Sequence, residues 1–372
     1  MKKYSFALVL AMVFTLSSCA HMGEYKPTNV QEPKSQMTAA WIKDLDPKYD
    51  SGNLPIALQS PLINEGIVYA GQNSGFMQAY ELDNGRLIWS EYDGSTYHAG
   101  AVAYKDQVIY GTVQGRVISR HGILGTIKYS VDLGAPVETR GVVYKGRIFF
   151  QLRNHQVFCL DVETGKIIWA YKRSVPYLTT IQRTAPPVVY KDKVLVGFAD
   201  GTFAALSMDE GVLLYETKLS TASKFVDVDN PAFIYDDRVY ISPVGGHLSL
   251  LDPNSGKVLR TSEFSVTRAP ILRDNQLIFG TPTGELILTD KNLNVLDTIK
   301  ISKGMITSMV PFKTFFAVST TSGEIKLVDQ KTLKVVETYK LGHAYSAVFG
   351  EMQSTGNNLA VISSRNRLFL FK

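Results

Sequence analysis

Val157-Phe-Cys-Leu-Asp161-Val-Glu-Thr-Gly165-Lys-Ile-Ile-Trp169 is the stretch whose reading decides the fold. It reads as a strand, a tight Glu-Thr-Gly turn, and a second strand that ends on a large aromatic. Gly165 supplies the positive φ that such a turn needs, and Asp161 is placed to bond the turn amides through its side chain. The same shape recurs at Met77–Trp89 and, weaker, at Phe203–Tyr215 and Leu248–Arg260. A unit of this kind cannot bury both faces by itself, so its copies must stack.

Working outward, each copy is preceded by a short strand, a Tyr-Lys-Asp-like turn and a strand rich in β-branched and aromatic residues. Ala101-Val-Ala-Tyr-Lys-Asp-Gln-Val-Ile-Tyr-Gly111 and Pro187-Val-Val-Tyr-Lys-Asp-Lys-Val-Leu-Val-Gly197 show the pattern. The turn before the third strand falls at Gly75, Gly115, Asn154-His155, Gly201, Gly246, Gly284, Gly323 and Asn366, at intervals of 38 to 46 residues. That is the period of a four-stranded propeller blade. Residues such as Gly323-Glu-Ile-Lys-Leu-Val-Asp329 show no 3.6-residue stripe. The expectation is an all-β fold, an eight-bladed β-propeller of four-stranded antiparallel blades. The eighth copy stops at Lys372, one strand short. Ala40-Trp41-Ile42-Lys43 has the look of the strands ending at Trp89 and Trp169, so it is expected to complete the last blade and close the ring. Closure removes two unpaired sheet edges. Trp89 and Trp169 are expected to cap contacts between blades.

Composition fits: 372 residues, 45% hydrophobic and 20% charged, are enough for a large core. The net charge of +5, with no Lys/Arg block, is too mild to argue for nucleic acid. At the start, Lys2-Lys3 precede an apolar run from Ser5 to Leu16, the length of a signal peptide and too short to span a bilayer. It ends in Leu16-Ser17-Ser18-Cys19, which resembles the lipobox of bacterial lipoproteins. The resemblance implies cleavage after residue 18, acylation of Cys19 and, with Ala at position 20, sorting to the periplasmic face of an outer membrane. Several acyl chains would anchor the protein firmly. Residues 19–38 lack apolar periodicity and read as a flexible tether, leaving residues 39–372 for the propeller.

The Asp-x-x-x-Gly-x-x-x-Trp style of repeat resembles the pyrroloquinoline-quinone (PQQ)-type propeller, a repeat that specifies fold and not function. Within it the chain is similar to the BamB family, the propeller lipoproteins of the outer-membrane β-barrel assembly machinery. The lipobox, the eight copies with a closing N-terminal strand, the chain length and a local motif carry this. The motif is Asp227-Val228-Asp229-Asn230-Pro231, like the family's Asp-Val-Asp-x-x-Pro. One blade earlier, Leu178-Thr-Thr-Ile-Gln-Arg-Thr-Ala-Pro186 stands at the place of the family's Leu-x-Leu-Arg-Gly-x-x-Ala-Pro. The resemblance implies that the two loops contact a periplasmic domain of BamA, the barrel component, and that the protein assists unfolded outer-membrane proteins. Asp227, Asp229 and Leu178 match residue for residue. Thr180 stands for the second Leu and Ile181 for the Arg, with Arg183 two positions on. Two carboxylates two residues apart on an extended segment project from one side and suit a basic partner. Solvated acids or turn caps before Pro231 are the plainer alternative.

Nothing in the sequence asks for a cofactor or a metal, and no catalytic residue stands out. A PQQ-dependent quinoprotein or ligand-binding propeller, and another cell-envelope scaffold, are the alternatives. Against the quinoprotein there is no adjacent Cys-Cys pair, and Cys159 lies in an apolar strand as a small core residue. His21, His98, His121, His155, His247 and His343 are scattered without ligand spacing. Distant repeats do converge on a propeller's channel, so a ligand site assembled from several blades stays open.

Overall fold

The computed structural model describes residues 35–46, 56–175, 184–220, 222, 224–342 and 346–372. The signal segment 1–18, Cys19 and the tether up to residue 34 lie outside the described residues. So do Leu178, Thr180, Ile181 and Arg183. Residues 37–372 form one compact unit.

Eight four-stranded antiparallel sheets make up this unit. Blades 1 to 7 are each continuous in sequence: residues 62–92, 102–132, 142–172, 188–218, 233–265, 271–300 and 306–340. Blade 8 takes three strands from residues 353–371 and its fourth from Ala39–Asp44. That closing strand runs antiparallel to Arg367–Phe371, with Ala39 opposite Phe371 and Asp44 opposite Arg367. Backbone bonds extend the zip at both ends, Thr38 with Lys372 and Leu45 N–H to the Asn366 carbonyl at 2.8 Å. The eight-bladed ring sealed by an N-terminal strand is therefore as the repeats predict.

The first strands of neighbouring blades touch around the hub, while the fourth strands are the most exposed and form the rim. A meander of four strands puts its hairpin turns (first to second, third to fourth) on one face of the ring. The second-to-third turns and the connections between blades fall on the other. These are called the hairpin face and the connection face. The positive φ expected before each third strand is met at His155 (φ 63°) and Asn366 (56°) as well as at glycines. In blade 5 Gly245 carries it (62°), one residue before the Gly246 expected from the spacing.

The decisive stretch folds as its chemistry dictates. Asp161 Oδ1 accepts the N–H of Thr164 at 2.8 Å and of Glu163 at 3.1 Å, and the Thr164 hydroxyl at 2.7 Å. Asp329 does the same with Thr332 and Lys331. Hydrogen bonds to the ionised form, chiefly from the Thr164 hydroxyl, hold the Asp161 carboxyl below its ordinary value.

Trp169 then crosses to the next blade. Its indole N–H donates to the Met208 carbonyl at 2.8 Å, and its ring lies flat on Gly211, where a Cβ would meet the ring at 2.5 Å. The same aromatic-on-glycine contact closes five seams in a row. Trp41 lies on Gly85, Trp89 on Gly125, Tyr129 on Gly165, Trp169 on Gly211 and Tyr215 on Gly256. In each, the indole N–H or phenol O–H donates to a carbonyl of the neighbouring turn. Cys159 is now explained. It is fully buried directly across the sheet from Trp169, where Ala79, Ser119 and Ala205 face Trp89, Tyr129 and Tyr215. In these four blades a small side chain lies opposite the large ring.

Candidate functional site

The connection face gathers what the sequence spreads out. Among the described residues, the connections entering blades 3 and 5 stack on second-to-third turns: Val137 N–H bonds the Thr112 carbonyl, Val228 N–H the Phe198 carbonyl, and Val244 N–H the Asp227 carbonyl at 2.7 Å. All eight connections contribute residues to one cavity of about 430 Å³ at the hub. Its charged lining is His98, Glu138, Arg140, Asp229, Arg268 and Glu351.

These charges are largely tied to one another across the opening. His98 Nδ1 lies 2.8 Å from Glu138, and Arg153 lies 3.6 Å from the same carboxylate. Arg140, entering blade 3, pairs at 3.6 Å with Glu351, entering blade 8. Arg268 donates to the Phe349 carbonyl at 3.3 Å. Members of distant connections thus hold the mouth in one arrangement.

Asp227 and Asp229 share a segment but not an environment. Asp227 is fully buried, and its carbonyl locks the Val244 turn. Asp229 is half-buried and lines the cavity. Beneath this connection runs a charged network between blades 3 and 4. Arg173 bonds Asp200 at 2.8 Å, Glu216 at 2.7 Å and the Thr202 hydroxyl at 3.1 Å, and its guanidinium lies 5.1 Å from the Phe198 ring centre. His155, buried beside it, is held below its ordinary value by burial, against the pull of Asp227 and Asp200.

A second buried network pins blade 1 to blade 2. Asp93 accepts from Arg120 at 2.6 Å and from the hydroxyls of Tyr97 and Tyr110, both at 2.8 Å. Removing one partner would strand a buried charge, at a cost of roughly 3–5 kcal/mol.

The cavity-lining charges were not picked out by motif, yet a signal exists. Aligned on the first strand of each blade, His98, Glu138-Thr-Arg140, Asp229, Arg268 and Glu351 occupy the same two- to four-residue window before that strand.

The residues present do not fit a calcium-bound quinone. Glu138 already lies against His98 and Arg153, and Glu351 against Arg140. Among the described residues no three His, Cys, Asp or Glu side chains are grouped to hold a metal ion. Burial pushes the Cys159 thiol up to about 12, which makes it inert.

A family model described as outer membrane protein assembly factor BamB matches residues 96–292, more than half of the chain. The chain belongs to the BamB family. Its similarity to the family member of Yersinia pestis is 22% identity over 246 residues, 62% of this chain and 60% of that one. The crystal structure of BamB from Moraxella catarrhalis superposes with a TM-score of 0.76 at 18% identity, covering 90% of this chain and 99% of that one. A quinohemoprotein alcohol dehydrogenase of Pseudomonas putida shares the fold at a TM-score of 0.69 and 12% identity, covering 91% of this chain and 76% of that one. The fold therefore spans both the family and an enzyme class, and the residues of the site must decide between them.

Proposed function

We propose that this chain is a non-enzymatic periplasmic scaffold of outer-membrane β-barrel assembly. It is held to the inner leaflet of the outer membrane by lipid on Cys19 and binds a periplasmic domain of BamA through the connections entering blades 4 and 5. Residues 178–183, with Leu178, Thr180, Ile181 and Arg183, belong to the first connection. The second carries the half-buried Asp229, backed by the buried Asp227. The placement of Asp229 at the cavity rim, on a connection locked from beneath by Asp227 and Val244, is the observation that carries this reading. A carboxylate so held is preorganised for a basic partner, which favours specificity and association rate.

Capture by the BamA periplasmic domain tests it. Asp229→Ala is expected to weaken capture without lowering the melting temperature, since a rim charge acts on binding. Asp227→Ala is expected to lower both, because a buried group is lost. Undiminished capture by the Asp229→Ala/Asp227→Ala double variant would remove this loop from the interface. The quinoprotein reading is tested separately, by calorimetry with PQQ and Ca²⁺, where saturable binding with dye-reducing activity would replace the scaffold reading.

A further inference from the structure

The third-to-fourth turns of the seven continuous blades lie on the hairpin face, and six of them are tipped by polar residues. The tips are Asp83-Asn84, Glu163-Thr164, Asp209-Glu210, Asn254-Ser255, Lys291-Asn292 and Lys331-Thr332. Blade 2 differs. Its tip is Ile123-Leu124, two adjacent aliphatic side chains 63% and 64% exposed. The fold does not need them. The turn is fixed by other groups: Trp89 donates to the Gly122 carbonyl at 2.6 Å, Arg120 to the Gly125 carbonyl at 2.7 Å, and Gly125 N–H to the His121 carbonyl at 2.8 Å. His121 Nδ1 takes the part played elsewhere by Asp, accepting from Ile123 N–H and Leu124 N–H at 3.2 Å each. The pair is thus held on a hydrogen-bonded turn and stands largely exposed to solvent.

What covers it follows from where the chain arrives. The closing strand begins at Ala39, opposite Phe371, at the hairpin end of blade 8. Blade 2 is two blades along the same face, across the Trp41–Gly85 and Trp89–Gly125 seams. The closing strand therefore starts on the face that carries the aliphatic tip, opposite the cavity and Asp229. The cations flanking the tip are already paired, Lys105 with Glu163, Lys128 with Asp106 and Arg86 with Glu81. Charge attraction to anionic headgroups is therefore not the driving force, whereas burial of apolar surface is.

We propose that Ile123-Leu124 is a membrane-contact tip that inserts into the phospholipid surface to which the chain is tethered, fixing the hairpin face toward the bilayer. This rests on the reading of Cys19 as a lipid anchor and adds an orientation to it. It leaves the connection face pointing away from the membrane, free for a protein partner.

The test uses the mature lipid-modified chain in vesicles of phosphatidylethanolamine and phosphatidylglycerol, with an environment-sensitive fluorophore on Leu124→Cys. The same label on Asn254→Cys, across the ring, is the comparison. Buried Cys159 stays unlabelled. The expected result is flotation with the vesicles, a blue-shifted emission at 124 that lipid-borne spin labels quench, and a water-like emission at 254. The shift at 124 is expected to persist at high salt. Flotation with water-like emission at 124 overturns the tip while leaving the anchor standing, and failure to float overturns both. A blue shift that appears only when BamA is added assigns the tip to a protein groove and overturns the lipid reading. In a second arm, Ile123→Asn/Leu124→Thr gives this turn the polar character of the other six. It is expected to keep the melting temperature and BamA capture while losing vesicle-dependent protection of residues 121–125 from hydrogen exchange. Unchanged protection would overturn the proposal.

Discussion

Two arcs of the ring solve one packing problem in opposite ways. From blade 8 round to blade 5, an aromatic side chain leans across each seam onto a glycine of the next turn, with a small residue behind it at every seam but the first, where Leu370 lies across from Trp41. From blade 5 to blade 7 the roles reverse. The aromatic position holds Arg260 and Asp297, both exposed, and the residues across the sheet from them are Leu250 and Leu288. The glycine of the following turn becomes Leu293 or Leu333, each buried and each at positive φ. Leu293 joins the core cluster of Leu250, and Leu333 that of Leu288. The seam volume is conserved while the side chain that fills it changes owner. The lesson is that a repeat motif lapses in sequence without a lapse in the fold when three positions change together.

Five predictions run from the largest expected effect to the smallest, the first three pressing on this contrast. The largest effect is expected from Trp169→Ala, which empties an aromatic seam and leaves the Met208 carbonyl to Arg147. A loss of about 3–5 kcal/mol in urea unfolding is expected. Leu293→Ala, its counterpart in the other arc, is expected to cost about 2–3 kcal/mol, since fewer buried atoms are removed. If the two losses came out equal, or in reverse order, the volume argument would fail.

Exchanging one arc's solution for the other's is a sharper test. Arg260→Trp alone should destabilise by overpacking against Leu293, by about 1–3 kcal/mol. Combining it with Leu293→Gly should recover part of the loss, with a coupling energy of roughly 0.5–3 kcal/mol in a double-mutant cycle. Strict additivity would mean that the two positions do not share a space.

The smallest effects are electrostatic. Asp161 and Asp329 have carboxyls held below their ordinary values, the first chiefly by the Thr164 hydroxyl and the second chiefly by the Thr332 N–H. Their contribution is present above the unfolded carboxylate value and is lost as pH falls through the lower folded one. Asp161→Asn should therefore lower stability slightly at neutral pH and flatten the acid limb, the two stability–pH curves converging at low pH in a urea-unfolding series. His155 behaves differently. Burial lowers its folded value, so the unfolded chain takes up a proton first, and stability declines as pH drops below the ordinary histidine value of about 6.5. His155→Asn, the residue found at the same turn position in blade 8, suits the φ of 63°. It should remove that decline, as a thermal-melt series between neutral and mildly acid pH would show.

The ring was legible because its signals are local. Turn glycines, the Asp161-type cap and the Trp-ended strand each act within a dozen residues, and their period gives the blade count. The closing strand was legible from the eighth copy, one strand short at Lys372, and from the likeness of Ala40-Trp41-Ile42-Lys43 to the strands that end at Trp89 and Trp169. The hub was less so. Asp227 and Asp229 read as a matched pair, since period-two spacing predicts a common side, yet one is buried in the wall and the other lines the opening. The difference arises from the neighbouring Val244 turn, which stacks on the Asp227 carbonyl and has no signature in the motif. Arg140 and Glu351 stood far apart in sequence, and only the circular arrangement makes them neighbours. Leu293 and Leu333 read as failures of the repeat until their partners across the sheet and the seam are seen.

The closing strand has a consequence for biogenesis. Ala39–Asp44 is among the first of the ring's segments to be synthesised, and its partner Arg367–Phe371 is the last. During synthesis the Trp41 strand must wait, unpaired, for nearly the whole ring to emerge. The final step of folding is therefore a contact of very high sequence separation, slow by its loop-closure entropy and exposed to capture by holdase chaperones. Once latched, the two ends protect each other, so fraying of either terminus is resisted by a full sheet edge and not by a few loop contacts.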